Sequence, residues 1–389
     1  MAKDKKMVVR NIKCFTISNL LAIMVPAFYV VNLLRMSMGW NILYLAALAS
    51  FGAIGLYKLT IQKSKPPVLV IKMMFFFIVI AGILNAIFIH NMGIEDVFAD
   101  LLLIGITFLL LQYRISFMIG MLTFGFFFLF FSFHCLSGTD TNAVLHSSTN
   151  YISIVLILAV SFYYIGVEEN GKILKISDII PAVLCFLLSI WAGGRGGILS
   201  CGVLLFFVTL AVMKNITSKK TAHKTLIFLG VIVLLIIYYM ADASFLGRFS
   251  NLGKFGTRGF KSTARIIIWS DYLEKTWDSL VYFLLGTPLK LVPSVVEFEL
   301  NTHNSFLQMH ALYGIIPFIC FGILALRAAW FYFKNGLYMH LGLLFALFVR
   351  GMTDKFIFGQ YGMPLVMYFV LLPLVYVQKR TRQRCKSNE

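Results

Sequence analysis

Charged residues are scarce in this chain, and their scarcity excludes a large class of proteins. Only 13% of the 389 residues are charged, whereas 60% are hydrophobic and 38 are Phe. A water-soluble domain could not keep this much apolar surface away from water. The composition, with a mean hydropathy of +0.86, therefore predicts an integral membrane protein.

Cysteine is also sparse, and its spacing excludes two further classes of site. The six cysteines are scattered, and no two of them have the CxxC spacing of zinc or redox motifs. Several of them lie within apolar runs, so we interpret them as core residues and not as a disulfide framework.

Long apolar runs are what the chain has in abundance. Each is about 20 residues long, which is enough for a helix to cross about 30 Å of hydrocarbon. We predict an all-α protein with about twelve transmembrane helices. The predicted spans are 16–34, 40–57, 68–89, 97–112, 115–135, 151–167, 178–193, 197–213, 225–241, 305–326, 337–350 and 357–377.

These spans divide the chain into four parts within one membrane domain. Residues 1–241 carry helices one to nine, 242–304 form one long loop, 305–378 carry helices ten to twelve, and 379–389 are a basic tail. Lys and Arg cluster in alternate connections and at both ends of the chain, which predicts cytoplasmic termini. The net charge of +18 then indicates contact with anionic membrane lipids, and nucleic-acid binding is not needed to explain it.

The long loop, 242–304, is predicted to be a small folded element on the outer side. It begins with a basic, glycine-rich stretch that contains Arg248 and Arg258. An amphipathic helix is predicted over 262–285, because its apolar residues recur at intervals of three and four. Two interpretations stay open: the helix lies across the membrane interface, or it packs on the bundle as a lid.

Three residues stand out as a candidate site, namely Arg195 in the sequence GGRGG, Arg265 and His303. Arginine can donate two parallel hydrogen bonds to phosphate oxygens, and glycines such as Gly194 and Gly196 allow a close approach of the backbone. The structural alternatives are a tight turn for Arg195, a lipid headgroup contact for Arg265 and a helix cap for His303. Together the three would suit a lipid diphosphate.

Charged residues inside the apolar spans are expected to face the bundle interior or to reach its surface. Insertion of such a residue costs about 2.5–3.5 kcal/mol. Lys72, Asp100 and Arg350 are the examples, and Arg350 is expected to line the outer side together with Asp354.

The ordered motifs resemble those of a known family. They are a GRGG turn at 194–197, the RxxxW pattern from Arg265 to Trp269, and the HNSFLQ segment that begins at His303. With these motifs the chain resembles the O-antigen polymerase and O-antigen ligase superfamily, over residues 191–316 by motif and over the whole chain by the predicted topology.

The resemblance implies a GT-C-type glycosyltransferase in the bacterial inner membrane, with its active site facing the periplasm. The donor would be a glycan linked to undecaprenyl diphosphate. Arg195 and Arg265 would bind the diphosphate, and His303 would accept the proton of the attacking hydroxyl or orient it. The further substrate-binding candidates are Asn304, Gly194, Gly196, Arg258, Arg248 and Arg350.

We predict that this chemistry needs no metal and no cofactor. Arginines can supply the positive charge that a diphosphate leaving group needs. The chain has no DxD pair, and the first outer connection, residues 35–41, has no carboxylate.

Two positions depart from the pattern of the ligases and favour a polymerase. Leu312 stands where ligases commonly have glutamate, and Pro317 stands where a second glycine is usual. A ligase that transfers the glycan to lipid A-core is the alternative. A flippase is a further alternative, although residues 1–190 and 191–389 show no internal repeat. The resemblance also implies a chain-length regulator as a partner.

Overall fold

The computed structural model describes residues 2–63, 66–146, 148–216 and 263–387, and these residues form helices and connecting turns without strands. We number the helices in chain order. They are α1 Ala2–Met38, α2 Asn41–Ile61, α3 Pro66–Phe88, α4 Ile94–Gln112, α5 Phe117–Leu136, α6 Thr141–Val144, α7 Asn150–Glu169, α8 Ile180–Ala192, α9 Arg195–Asn215, α10 Thr263–Trp277, α11 Leu280–Leu285, α12 Pro293–Glu297, α13 Ser305–Tyr313, α14 Ile315–Asn335, α15 Tyr338–Gly351 and α16 Met363–Ser387.

The protein is an all-helical, multi-pass membrane protein. Seven of the described helices are long and apolar enough to cross a membrane, and they include α1 from Ser18 onward, α2, α3 from Val68 onward, α5, α7, α9 and α14. Helices also lie at the predicted positions of the other spans, except for 225–241, which lies outside the described residues. Twelve spans and an outer location of the long loop stay predictions.

Helix α7 is the centre of the bundle. Every residue from Ile152 to Val167 is buried. In α14, by contrast, only 22% of the most apolar stretch is buried. The outward faces of the peripheral helices are apolar, as Ile42 on α2 and Leu326 on α14 illustrate. Apolar exposure of this kind is expected where lipid takes the place of water, and helices satisfy their own backbone hydrogen bonds there.

Charged residues in the apolar helices have the surroundings that their positions predicted. Asp100 and Arg350 are 1% and 0% exposed. The Tyr313 hydroxyl donates to one oxygen of Asp100. The ammonium group of Lys72 reaches the end of α2 and donates to the Gln62 carbonyl over 3.0 Å. A charged side chain avoids hydrocarbon either by facing the bundle interior or by extending to the end of its helix.

The predicted span 305–326 is not one continuous helix. It is divided at Gly314, where φ is +77°, into the short helix α13 and the long helix α14. A side chain at Gly314 would collide with the backbone of Leu284 and Leu285 in the loop. The break occurs because the loop packs its backbone against this position, which only a glycine permits.

The predicted loop helix 262–285 is also divided. Helix α10 ends at Trp277, and after Asp278 the hydroxyl of Ser279 caps α11 by accepting from the Val281 N–H over 3.2 Å. The apolar pattern is split accordingly. Tyr272 and Thr276 are buried against the protein, whereas Leu273, Trp277, Leu280 and Leu284 are exposed.

The described part of the loop folds around a small core of its own. Ile268, Tyr272, Leu289, Val292 and Val295 are buried together with Ala311 of α13. The side chain of Trp269 donates to the Thr302 carbonyl over 3.1 Å. This core fixes α10, and with it Arg265, relative to the start of α13.

Two asparagines attach the loop to the end of α3. The Asn91 amide donates to the carbonyls of Thr287 and Ala311 over 2.7 and 2.8 Å, and its oxygen accepts from the Leu289 N–H over 2.8 Å. The Asn85 amide donates to the carbonyls of Leu285 and Ala311 over 3.1 and 2.7 Å. Polar side chains thus satisfy loop backbone groups that no regular element could pair.

Candidate functional site

Helix α9 brings Arg195 to the candidate site. Gly193 closes α8 in the left-handed region, at φ +73°, and Gly194 precedes Arg195, the first residue of α9. The first N–H groups of a helix have no acceptor within the helix, and its dipole is positive at this end. Arg195 therefore lies where the backbone itself favours a negatively charged group.

The glycines beside Arg195 make close contacts with protein atoms. A side-chain carbon on Gly194 would lie 2.8 Å from the Asn150 side-chain oxygen, and one on Gly196 would collide with Thr353. The sequence predicted that Gly194 and Gly196 allow a close approach to substrate. In the structure the close approach is between α9 and its neighbours, so these glycines determine where Arg195 lies.

Arg350 is completely buried, and the two terminal nitrogens of its guanidinium donate to protein acceptors. It donates to the Asn150 carbonyl over 2.9 Å and to the Thr353 hydroxyl, and it pairs with Asp354 over 3.3 Å. In the structure the residue holds Asp354 and the start of α7 in place, and its contact with a substrate stays a prediction.

Asp354 lies between Arg350 and His303. One carboxylate oxygen pairs with Arg350, and the other accepts from the Lys355 N–H over 3.1 Å and lies 4.0 Å from Nδ1 of His303. Because Asp354 is only 2% exposed, its charge acts at short range on both neighbours. Nδ1 of His303 faces this carboxylate without a hydrogen bond to it.

His303 itself has a strained backbone, with φ at +48°. Its N–H is held by the Asn301 side-chain oxygen over 2.8 Å. Nδ1 is buried, whereas a quarter of the side chain is exposed, so the exposed edge is the one away from Asp354. Left-handed conformations of residues other than glycine are often retained at functional sites.

The surroundings of His303 favour its neutral form. Burial lowers its pKa from the ordinary value, and the positive charges of Arg265 and Lys355 lower it further, although Asp354 opposes them. A neutral imidazole has one ring nitrogen without a proton, and that nitrogen can accept a proton from a hydroxyl group.

Arg265 joins the cluster from α10. Burial lowers the pKa of its guanidinium, Asp354 raises it, and Arg350 and Arg195 lower it. All three therefore lie within electrostatic reach of Arg265. An arginine stays charged in such surroundings, so positive charge is concentrated on one side of His303.

Asn304 has a structural role that the sequence interpretation did not assign to it. Its side-chain oxygen accepts from the N–H groups of Phe306 and Leu307 over 2.9 and 3.3 Å, so Asn304 caps α13. The helix-cap role that was the structural alternative for His303 is performed by Asn304. Arg248 and Arg258 lie outside the described residues.

The structure adds Lys355 and strengthens the case for Asp354. Both follow α15, and the spacing of Arg350 and Asp354 in an apolar surrounding was the available signal, since buried charges need partners. Nothing local to Lys355 marked it. Among the described residues, no three His, Cys, Asp or Glu side chains are grouped so that they could hold a metal ion.

Known proteins give no indication of the function of this cluster. No protein-family model and no curated protein matches the chain. The site unites Arg195, Arg265, His303 and Asp354 from three separated parts of the sequence.

Proposed function

We propose that the protein is a membrane glycosyltransferase that polymerises a surface polysaccharide at the outer face of the bacterial inner membrane. It would transfer a growing glycan from undecaprenyl diphosphate to the next lipid-linked repeat unit. The observation that carries this proposal is the position of His303, which lies 4.0 Å from Asp354 and within electrostatic reach of Arg265, while Arg265 in turn lies within reach of Arg195. A diphosphate and an attacking hydroxyl need this combination of charges.

The proposed reaction is a single displacement. The hydroxyl oxygen of the acceptor attacks the anomeric carbon of the donor, and the exposed nitrogen of His303 takes the hydroxyl proton. The bond from the anomeric carbon to the diphosphate oxygen breaks, and the lipid diphosphate leaves with the electron pair. Arg195 and Arg265 stabilise the charge on the leaving group. The configuration of the anomeric carbon is inverted.

Asp354 and Arg350 support this chemistry without contacting the substrate. Arg350 fixes Asp354, and Asp354 keeps Nδ1 of His303 turned inward. Holding a base in one orientation lowers the entropic cost of reaching the transition state. The mechanism uses only side chains of this chain, and independence of metals stays a prediction.

The first experiment is the surface glycan profile of a deletion strain, with lipid-linked intermediates analysed in parallel. A polymerase predicts core lipid capped by one repeat unit. Uncapped core with long chains on undecaprenyl diphosphate would instead indicate the ligase. Repeat units trapped on the cytoplasmic side would indicate the flippase and would contradict both enzymes.

Complementation with single variants then tests the site. Arg265→Ala and His303→Ala should fail to restore polymer, whereas Lys290→Ala, an exposed cation on the same loop, should restore it. Immunoblots of membranes provide the control for protein level. Full polymer from His303→Ala at normal protein level would refute the proposed mechanism.

A further inference from the structure

A strained turn lies directly before His303. Glu299 and Leu300 have φ angles of +54° and +57°, and the Asn301 N–H donates to the Phe298 carbonyl over 2.9 Å. Two consecutive left-handed residues inside such a turn normally require Gly, Asn or Asp. Glu and Leu adopt this conformation only at an energetic cost, so the surrounding structure must enforce it.

The turn sends its side chains in different directions. Leu300 packs against the small core of the loop, which offsets part of the cost. Phe298 stays 36% exposed, and its ring lies 5.8 Å from the His303 ring, with the two planes at 78°. A single exposed aromatic residue is ordinary on a protein surface. An exposed ring held against the candidate base by a strained turn is a more specific arrangement.

Two charged residues belong to the same part of the site: Glu299 follows Phe298 in the chain, and Lys355 follows Asp354. Glu299 is exposed, and its carboxylate acts electrostatically on the half-buried ammonium of Lys355. Lys355 in turn acts on His303. A flat apolar ring therefore contacts the imidazole, a donor acts on it electrostatically, and an acceptor acts on that donor.

This combination suits a sugar better than a diphosphate. A pyranose has one face made mainly of C–H groups, which can cover an aromatic ring and displace water from it. Its hydroxyl groups both donate and accept, so that a carboxylate and an ammonium can each bind one. A diphosphate would be repelled by Glu299 and would gain little from Phe298.

We propose that Phe298, Glu299 and Lys355 form the subsite for the acceptor sugar, with its pyranose ring on Phe298 and its attacking hydroxyl at His303. The subsite rests on the proposed function, because it names where the second substrate of that reaction binds. The donor diphosphate would occupy the opposite side, beside Arg195 and Arg265.

The test measures sugar binding separately from catalysis. Full-length protein in lipid nanodiscs is titrated with the oligosaccharide that mild acid releases from the lipid-linked intermediate of the deletion strain, with saturation-transfer NMR as the readout. We expect Phe298→Ala to weaken binding by about tenfold or more, and Phe298→Tyr to retain it within about twofold. Val296→Ala, an exposed apolar control on the same loop, should bind as the unaltered protein does.

Each outcome decides the proposal. Equal binding by Phe298→Ala and the unaltered protein would overturn the subsite, as would no binding by the unaltered protein up to about 10 mM. Thermal unfolding of each variant identifies any that is misfolded, and Glu299→Gln, an exposed change, provides a second independent variant, which should also bind more weakly.

Failure of the subsite and failure of the proposed function can be told apart. Arg265→Ala and His303→Ala should still bind the oligosaccharide although they make no polymer. If Phe298→Ala binds the oligosaccharide as well as the unaltered protein does, and His303→Ala makes no polymer, only the subsite would be refuted. Normal polymer in both Arg265→Ala and His303→Ala would remove the proposed function.

Discussion

A histidine–carboxylate pair lies near each end of helix α15, and the two pairs differ in their surroundings. At its start, the His340 imidazole pairs with Glu168, which also accepts from the Tyr376 hydroxyl. Beyond its end, Asp354 lies near His303. We call these the inner pair and the outer pair. Residue types alone do not distinguish them.

Enclosure distinguishes the two pairs. His340 is 2% exposed, and its ring stacks on Tyr332 with centroids 5.1 Å apart. A cleft of about 350 Å³ lies beside the inner pair. Both lysines that line it have partners within the protein. Lys214 donates to the Gly336 carbonyl over 3.2 Å, and Lys172 lies 3.2 Å from the centre of the Phe117 ring.

The outer pair is more open, because a quarter of the His303 side chain is exposed. Arg195, Arg265 and Lys355 are only partly buried, and Asp354 is already paired with Arg350. The pairs therefore differ in the accessibility of the histidine, and exposed cations alone do not mark a site, because Lys172 and Lys214 beside the inner pair are exposed as well. The inner pair has the features of a structural contact between α7, α15 and α16.

The largest effect should separate the two histidines. We expect His303→Ala to lower kcat/KM by about 10²–10⁴-fold, because a positioned base contributes that much. His340→Ala should lower the amount of folded protein and leave the activity per folded molecule nearly unchanged. Polymerisation rates of purified protein, normalised to the folded fraction, provide the measurement. A catalytic loss in His340→Ala as large as that in His303→Ala would break the comparison.

The next effect concerns the buried ion pair of the outer site. Arg350→Met should destabilise the protein by about 3–5 kcal/mol, because it leaves Asp354 buried without its partner. The double variant Arg350→Met with Asp354→Leu should regain much of the stability but not the activity. Thermal unfolding in detergent and polymerisation assays would show this separation. Recovery of activity in the double variant would rule out a positioning role for Asp354.

A smaller effect is expected where the loop is attached. Asn91→Ala removes two hydrogen bonds to the loop and one to Ala311 of α13, and should cost about 1–3 kcal/mol, because backbone groups lose their partners. Limited proteolysis should then cut within 278–304 faster than in the unaltered protein. Asn142→Ala provides the control, since its side chain bonds only to Asp140. Equal cleavage rates in Asn91→Ala and the control would contradict the tether.

The smallest effect is a shift in pH dependence. Because burial lowers the pKa of His303, the acid limb of kcat/KM should lie below about 6.5, the ordinary value. Lys355→Gln removes a nearby positive charge, so the pKa of His303 should rise and the limb should move to higher pH. Lys290→Gln should leave it unchanged, as should Glu168→Gln in the inner pair.

The same pKa shift predicts the direction of a stability change. The folded protein binds a proton at His303 less readily than the unfolded chain does. Stability should therefore fall as pH drops from the ordinary pKa of histidine through the lowered one. An acid limb that moves to lower pH in Lys355→Gln would contradict the assignment of His303 as the base.

Much of the fold could be predicted because its causes are local. Apolar runs such as 41–61 form helices because a membrane-embedded backbone must satisfy its own hydrogen bonds. The two broken helices could not be predicted in this way. Gly314 ends α13 because a loop 30 residues earlier in the sequence packs its backbone there, and periodicity within 305–326 contains no trace of that contact.

The candidate site was predicted in part. Arg195, Arg265 and His303 were singled out because they lie in recognisable motifs and because arginine can bind phosphate oxygens. The protein partners of Arg350 could not be predicted, because its three acceptors come from Asn150, Thr353 and Asp354. Two of these follow it closely, but the third lies 200 residues earlier. No local pattern distinguishes an arginine that binds substrate from one that supports another residue.

The sequence by itself determined that this is a helical membrane protein with polar residues concentrated in its last third, because hydropathy and helix formation depend on neighbours along the chain. Only the tertiary structure decided which charges meet. Arg195 and Asp354 both act on Arg265, because Gly196 of α9 packs against Thr353 and His303 of the loop lies beside Asp354, and these contacts join residues far apart in the chain.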